Sequence, residues 1–313
     1  MLKYASQRIA GIVPQLLLVA VVSFMLLEFA PGDPAVILAG ENASPEDVLR
    51  IRHIYHLDRP LIARLWLYIW NAARGQLGSS LFNSQSVVRI VLNSATVTLS
   101  LVVVAVVIAV LIGMLGGTIA ALWRGKLIDR LISAVAGLGL AVPSFVLSLF
   151  LIKWFTLDRS WFPAGGYKGL ANGPFTWLKH LLLPALSLAV FPAAELARQM
   201  RTAVSNVLAR DYIDTATAKG MRRRTILFKH VLKNAAIPVV TVIGVQIGRL
   251  IGGAVIIELN FNLPGLGSLI INSVGKHDVP VIQGLVLLTA VGVILVNFVV
   301  DLSYGYFNPK LRR

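Results

Sequence analysis

The sequence predicts an all-α polytopic membrane protein with about six transmembrane helices, and three observations predict it. First, 57% of the 313 residues are hydrophobic and only 14% are charged, against roughly 25% charged in an average soluble domain. Second, the apolar residues gather into six runs of 17 to 28 residues, and about 20 suffice to cross a bilayer as a helix. Lipid offers the backbone no hydrogen-bond partners, so such runs must be helical. Third, Lys and Arg crowd into alternate connecting segments, which marks one side of the membrane.

The runs cover residues 9–29, 95–122, 131–155, 181–197, 235–259 and 279–302. The first follows Lys3 and Arg8, as a signal peptide does, but its 21 residues exceed the usual apolar core of about 7–15. Ala30-Pro31-Gly32-Asp33 is no small-residue cleavage site, so residues 1–29 read as a tail and a retained first span. With both termini placed in the cytoplasm, the inner segments hold 17 Lys and Arg, and the outer segments 156–180 and 260–278 hold four. The net charge of +15 is therefore mostly a topology signal, and a nucleic-acid partner is not expected. The chain has no Cys, which excludes a disulfide framework and Cys-ligated zinc.

Residues 30–94 form an extracytoplasmic helical segment without a core of its own. Pro31-Gly32-Asp33-Pro34 stops the first span. Ser44-Pro45-Glu46-Asp47 supplies an N-cap, Pro at the first helical position and acids in the first turn, predicting a helix over 45–55. A second amphipathic stretch, 61–73, carries Trp66, Tyr68 and Trp70, aromatics that suit a membrane interface. Gly75 to Ser80 reads as a turn.

The remaining chain, 95–313, is a transmembrane core of five helices. Gly113 and Gly117 in the second span, and Gly244, Gly248 and Gly252 in the fifth, repeat every four residues and let helices approach closely. The expectation for both stripes is packing within the chain, with a subunit interface as the alternative. Pro143, Pro184 and Pro192 are expected to kink or break spans three and four. Arg249 lies near the middle of span five, where a charge is expensive and usually functional, and Glu195 on span four is its possible partner. Glu28 and Glu258 fall at outer span ends, where water is expected to be close. His53 and His56 are three apart, but two His alone are weak evidence for a metal. No His-Glu-x-x-His, Gly-x-Ser-x-Gly or phosphate-binding Gly-x-x-x-x-Gly-Lys-Ser/Thr sequence occurs, so the chain does not read as an enzyme.

The most informative stretch is the largest inner loop, 198–234, which is basic yet has helical spacing. Asp211, Tyr212, Ile213 and Asp214 lead into Thr215, Ala216, Thr217 and Ala218, a short helix with a low-profile face. Lys219 and Gly220 end it. Met221, Arg222, Arg223 and Arg224 follow, and Thr225 is placed to cap a second helix from Ile226. The expected product is a helix–turn–helix knob shaped for a groove on a partner.

Asp214-Thr215-Ala216, three residues, then Gly220 resembles the coupling-loop motif of ATP-binding-cassette importer permeases, Glu-Ala-Ala, three residues, Gly. The chain departs from that pattern at His230-Val231-Leu232-Lys233, where the family has Ile-x-Leu-Pro. Further stretches resemble the first permease subunit of the dipeptide, oligopeptide and nickel importers. They are Phe29-Ala30-Pro31-Gly32-Asp33-Pro34, His56-Leu57-Asp58-Arg59-Pro60, Gly75-Gln76-Leu77-Gly78-Ser79-Ser80, Glu258-Leu259-Asn260-Phe261-Asn262-Leu263-Pro264-Gly265-Leu266-Gly267, Asp278-Val279-Pro280, Asp301-Leu302-Ser303-Tyr304 and Asn308-Pro309-Lys310. The likeness runs in order along the whole chain.

The resemblance implies a bacterial inner-membrane permease. It implies a heterodimer with a second homologous permease, two ATPase subunits that bind ATP and magnesium, and an extracytoplasmic substrate-binding protein. Membrane lipid is the other expected partner, and no cofactor is expected on this chain. Coupling is implied for the 210–228 region, with Tyr212, Asp214, Thr215, Ala216, Ala218, Lys219, Gly220, Arg222 and Arg223 at the ATPase. Peptides or similar small solutes are the implied cargo. The alternative from the residues alone is a secondary active transporter, which usually shows internal repeats and several mid-membrane acids.

Overall fold

Every regular element within the described residues of this computed structural model, 2–28, 33–40, 43–54 and 57–307, is a helix. Among these residues the one extended pairing is an isolated bridge between Ser79 and Ser86. The helices are α1 (Leu2–Glu28), α2 (Pro34–Ala39), α3 (Pro45–Ile54), α4 (Leu61–Ala73), α5 (Val87–Leu122), α6 (Leu127–Ala141), α7 (Ser144–Leu151), α8 (Pro174–Leu208), α9 (Asp211–Ala218), α10 (Arg223–Thr225), α11 (Lys233–Asn260), α12 (Leu266–Gly275) and α13 (Val279–Phe307). Wider π turns continue α7 through Ile152–Leu157 and join α10 to α11 through Ile226–Leu232. Among the described residues, four helices are long and apolar enough to cross a membrane, and the bent pair α6–α7 adds a fifth; the apolar part of α1, Gly11–Met25, is shorter.

The contacts divide the chain into two units, Met1–Thr96 with Gly265–Val299, and Val97–Pro264 with Val300–Arg313. In the first, α4 packs on the last turns of α1. Tyr68 stacks obliquely on Phe24 with ring centroids 5.7 Å apart, and its hydroxyl lies 3.1 Å from Ser23 Oγ. Arg64 pairs with Glu28, and both side chains are largely buried. Glu28 was expected beside water; the amphipathic face of α4 covers it and supplies the countercharge. At α3 the expected cap forms: Ser44 Oγ accepts from Asp47 N at 3.2 Å and donates to Asp47 Oδ2 at 2.7 Å. The Ser44 Oγ bond to the carboxylate, joined by one from Ser44 N at 3.3 Å, holds the Asp47 carboxyl below its usual range. Gly75 and Gly78 take positive φ in the turn before α5, the conformation that favours glycine. Val87, Val91, Val281 and Leu285 form a small core where α13 meets the start of α5. The buried Asp278 carboxylate accepts from Ser80 Oγ at 2.5 Å and Leu81 N at 3.3 Å.

In the second unit the core runs along α8, which packs on α6, α7 and α11. Gly113 and Gly117 explain how α5 comes so near. A Cβ at Gly113 would lie 2.6 Å from Leu196 Cβ, and one at Gly117 would lie 2.4 Å from Ala197 O. The other predicted stripe behaves differently: nothing lies within 4 Å of a Cβ at Gly248 or Gly252. Among the described residues no neighbouring element closes on these two glycines of α11, and the expectation of internal packing is not met for them there.

Span three is likewise not one helix. Pro143 disfavours a helical residue before it, Val142 is extended (φ −80°, ψ 121°), and the helices on either side meet at 101°. Pro184 and Pro192, by contrast, lie buried inside a continuous α8. Glu258, expected near water, is fully buried (0% exposed) and accepts from Thr98 Oγ1 at 2.5 Å. The backbone of α11 turns back immediately after it, with Leu263 N donating to Glu258 O at 2.8 Å.

His53 Nδ1 lies 3.2 Å from Asp58 Oδ2 at the surface. His56, the residues at 29–32 and the motif at Asn308-Pro309-Lys310 lie outside the described residues.

Candidate functional site

The stretch 198–234 is helical almost throughout. Its first part extends α8 to Leu208, and Arg210 in extended conformation (φ −95°, ψ 140°) starts α9. Asp211 and Asp214 occupy the first turn of α9, where carboxylates complement the helix dipole. Ile213 and Ala216 are the buried pair of α9. Spaced three apart they share a face, and they join the core formed by Val204, Val207, Ile226 and Val231.

Gly220 closes α9 with φ +75°. Its N–H donates to Thr217 O at 2.9 Å, and Met221 N donates to Ala216 O at 3.2 Å, the paired bonds of a Schellman cap. A Cβ at Gly220 would meet nothing within 4 Å. Glycine is required there by backbone conformation, not by space. Thr215 and Thr217 turn their hydroxyls to the helix backbone, donating to Asp211 O at 3.0 Å and Ile213 O at 2.9 Å. Asn234 Nδ2 lies 3.2 Å from Tyr212 Oη and 2.7 Å from His230 O, which ties α9 to the start of α11.

The residues singled out from the sequence therefore divide. Tyr212, Asp214, Thr215, Ala218, Lys219, Gly220, Arg222 and Arg223 are exposed. Ala216 is not: it shares the inward face of Ile213 and anchors the helix to its own bundle. The second expectation to change concerns Thr225. The helix starts at Arg223, with Arg222 extended before it, and Thr225 sits inside. From Arg223 the chain stays helical through the π turn to Asn260. The knob is thus one short helix set against the π turn that leads into α11. Arg224 lies over the exposed Phe228 ring, 5.9 Å from its centroid.

Two supporting contacts have no local sequence signal. Arg201 on α8 binds Asp129 on α6 through Nε at 2.6 Å and Nη2 at 2.8 Å, and Gly125 N donates to the same carboxylate at 2.9 Å. Arg249 Nη1 lies 3.8 Å from Glu195 Oε2, which also accepts from Gln246 Nε2. The pairing of Arg249 with Glu195 that the sequence left open is present.

Residues 113–313 match the family described as "Binding-protein-dependent transport system inner membrane component", and residues 1–102 match its N-terminal component. The chain belongs to this family of transport permeases. The permease is similar to the glutathione transport system permease protein GsiC of Shigella flexneri, 40% identical over 312 residues, covering 100% of this chain and 99% of that one. It is also similar to a putative peptide transport system permease protein of Brucella abortus, 38% identical over 306 residues and 98% of each chain. Among solved structures, a chain of the MetNI methionine ABC transporter in an inward-facing conformation aligns with a TM-score of 0.57 at 18% identity, over 70% of this permease and 96% of that chain. An amino acid ABC transporter aligns with a TM-score of 0.54 at 17% identity, over 70% of this permease and 94% of that chain. At such identity the structural likeness speaks for the fold alone.

The permease is thus a multi-pass inner-membrane subunit of a bacterial ATP-binding-cassette importer of the peptide family. Permeases of this family work with a partner permease, an ATPase and a binding protein, and ATP hydrolysis resides on separate subunits.

Proposed function

We propose that α9 is the element through which an ATPase moves this permease. The observation that carries the reading is the division of α9 into two faces. Ile213 and Ala216 fix it to the bundle, while Asp214, Thr215, Ala218 and Lys219 stand exposed beside Gly220. A force on the outer face passes through Tyr212–Asn234 and the Ile213 core into α8 and α11.

In this reading a second homologous permease completes a heterodimeric pathway. Two ATPases carrying ATP and magnesium close against the coupling helices, with Arg222 and Arg223 at the ATPase or its lipid rim. The segment 30–94 and the stretch 260–278 face the extracytoplasmic binding protein, and 95–313 forms the permease core. The relatives named for glutathione and peptide transport favour short peptides bearing free carboxylates as cargo.

The test is purification from the native membrane in mild detergent, with mass spectrometry of what accompanies the permease. Recovery of a second multi-span protein and an ATPase in a 1:1:2 ratio with the permease is expected. A secondary active transporter would emerge intact without them, and that result would overturn the reading.

A further inference from the structure

A charge in the wrong solvent has to be explained. Arg249 sits seven residues into the apolar stretch Val242–Asn260 of α11 and eleven before its end, roughly 10 Å and 16 Å along the axis. Its side chain is 61% exposed. Exposure of Arg to hydrocarbon at that depth is expensive, and such residues usually face a bundle interior or a water-filled cavity. Its carboxylate neighbour does not bury it. Glu195 is 3.8 Å away, beyond a hydrogen bond, and Gln246 donates to the same Glu195 oxygen. Among the described residues, most of the guanidinium edge is left uncommitted.

The face that carries Arg249 is unusual in a second way. Val245, Gly252 and Ile256 share it by helical spacing, and Gly248 borders it. Val245 and Ile256 are exposed, and a Cβ at either glycine would meet nothing within 4 Å. A helix wall built of glycine beside one arginine leaves room for a solute and offers it one charge.

We infer that Arg249 lines the solute pathway and receives a carboxylate of the passing solute, the C-terminal carboxylate in the case of a peptide. Guanidinium is suited to the task because its planar fork holds a carboxylate through two parallel hydrogen bonds. Glu195 keeps the fork oriented and, by sharing the charge, keeps the site weak enough to release what it holds. The carboxylate assignment rests on the importer reading above; the water-facing position of Arg249 does not.

Two measurements on the assembled transporter test it. The chain contains no Cys, so Arg249→Cys introduces a single reporter thiol in this subunit. A charged, membrane-impermeant thiosulfonate is expected to modify it in an open transporter, while Leu115→Cys, on an exposed apolar face of α5, stays unreacted. Failure of position 249 to react would place Arg249 against the partner permease and overturn the inference, whatever the cargo.

The second measurement compares uptake of trialanine and of its C-terminal amide in vesicles. Arg249→Gln is expected to slow trialanine by about tenfold and to leave the amide at the wild-type rate, with Arg249→Lys intermediate. Equal loss for both probes marks a structural role, and unchanged uptake of both removes the assignment. Wild-type vesicles that import neither probe with ATP contradict the peptide reading and with it the carboxylate, while the labelling result still stands by itself.

Discussion

Arg201 holds Asp129 by two parallel hydrogen bonds, Nε to Oδ1 at 2.6 Å and Nη2 to Oδ2 at 2.8 Å, and so joins the first turn of α6 to α8 three residues before the core residue Val204. The clamp fixes α6 to the end of α8 that leads into α9. Removing one partner strands the other charge, whereas removing both does not. Arg201→Gln and Asp129→Asn are each expected to lower the thermal midpoint of the detergent-solubilised permease. The double variant is expected to be no worse than the poorer single one. Additive losses in a double-mutant cycle would mean that the two residues act independently.

Gly220 and its neighbours allow backbone strain to be separated from steric clash. At φ +75° with open space around the missing Cβ, Gly220→Ala carries about 1–2 kcal/mol of left-handed strain and no overlap. The expected outcome is a folded permease with reduced uptake, and Gly220→Val is expected to be clearly worse. Full uptake by a normally expressed Gly220→Val variant would show that the cap conformation is dispensable.

Ala216 and Ala218 are two residues apart and point opposite ways. Ala216→Glu puts a carboxylate into the core that Ile213 and Val204 share, a desolvation cost of several kcal/mol, so lowered expression and thermal midpoint are expected. Ala218→Glu leaves both unchanged. It is expected instead to lower the amount of ATPase recovered with the permease, read by quantitative mass spectrometry. If Ala216→Glu proves stable, the inward face of α9 has been misassigned.

Gly117 and Gly248 form a third contrast. A side chain at Gly117 meets Ala197 O at 2.4 Å and Met200 Cβ at 2.7 Å, and overpacking of this kind costs about 1–3 kcal/mol or more. Gly117→Val is expected to reduce the thermal midpoint of the purified chain, and Gly248→Val is expected not to. Equal effects would deny that the two glycine stripes differ.

Much of this architecture was legible in the sequence because apolar run length and proline placement act locally. The cap at Ser44, the amphipathic α4, the break at Pro143 and the closure of α9 at Gly220 each depend on a few adjacent residues. What was not legible depends on neighbours distant in the chain. Nothing next to Glu258 announces that Thr98 will bury it, and nothing near Glu28 announces Arg64. Identical glycine spacing at 113/117 and 248/252 had to await the helix opposite, which among the described residues is present for one pair and absent for the other. At the knob, the exposed residues of α9 followed from their spacing, but the inward turn of Ala216 did not. The second helix was expected to start at a Thr225 cap but starts at Arg223, because Arg222 takes the extended conformation before it and Thr225 is already helical.

The most direct measurement is cross-linking from the exposed face of α9 in the assembled importer. Ala218→Cys gives this subunit a single thiol, and a short thiol-to-amine cross-linker is applied with and without ATP. The docking account predicts a covalent product containing the ATPase, with a yield that changes when ATP is bound. An Ala218→Cys permease that assembles and transports normally, yet cross-links to no ATPase in either condition, would contradict it.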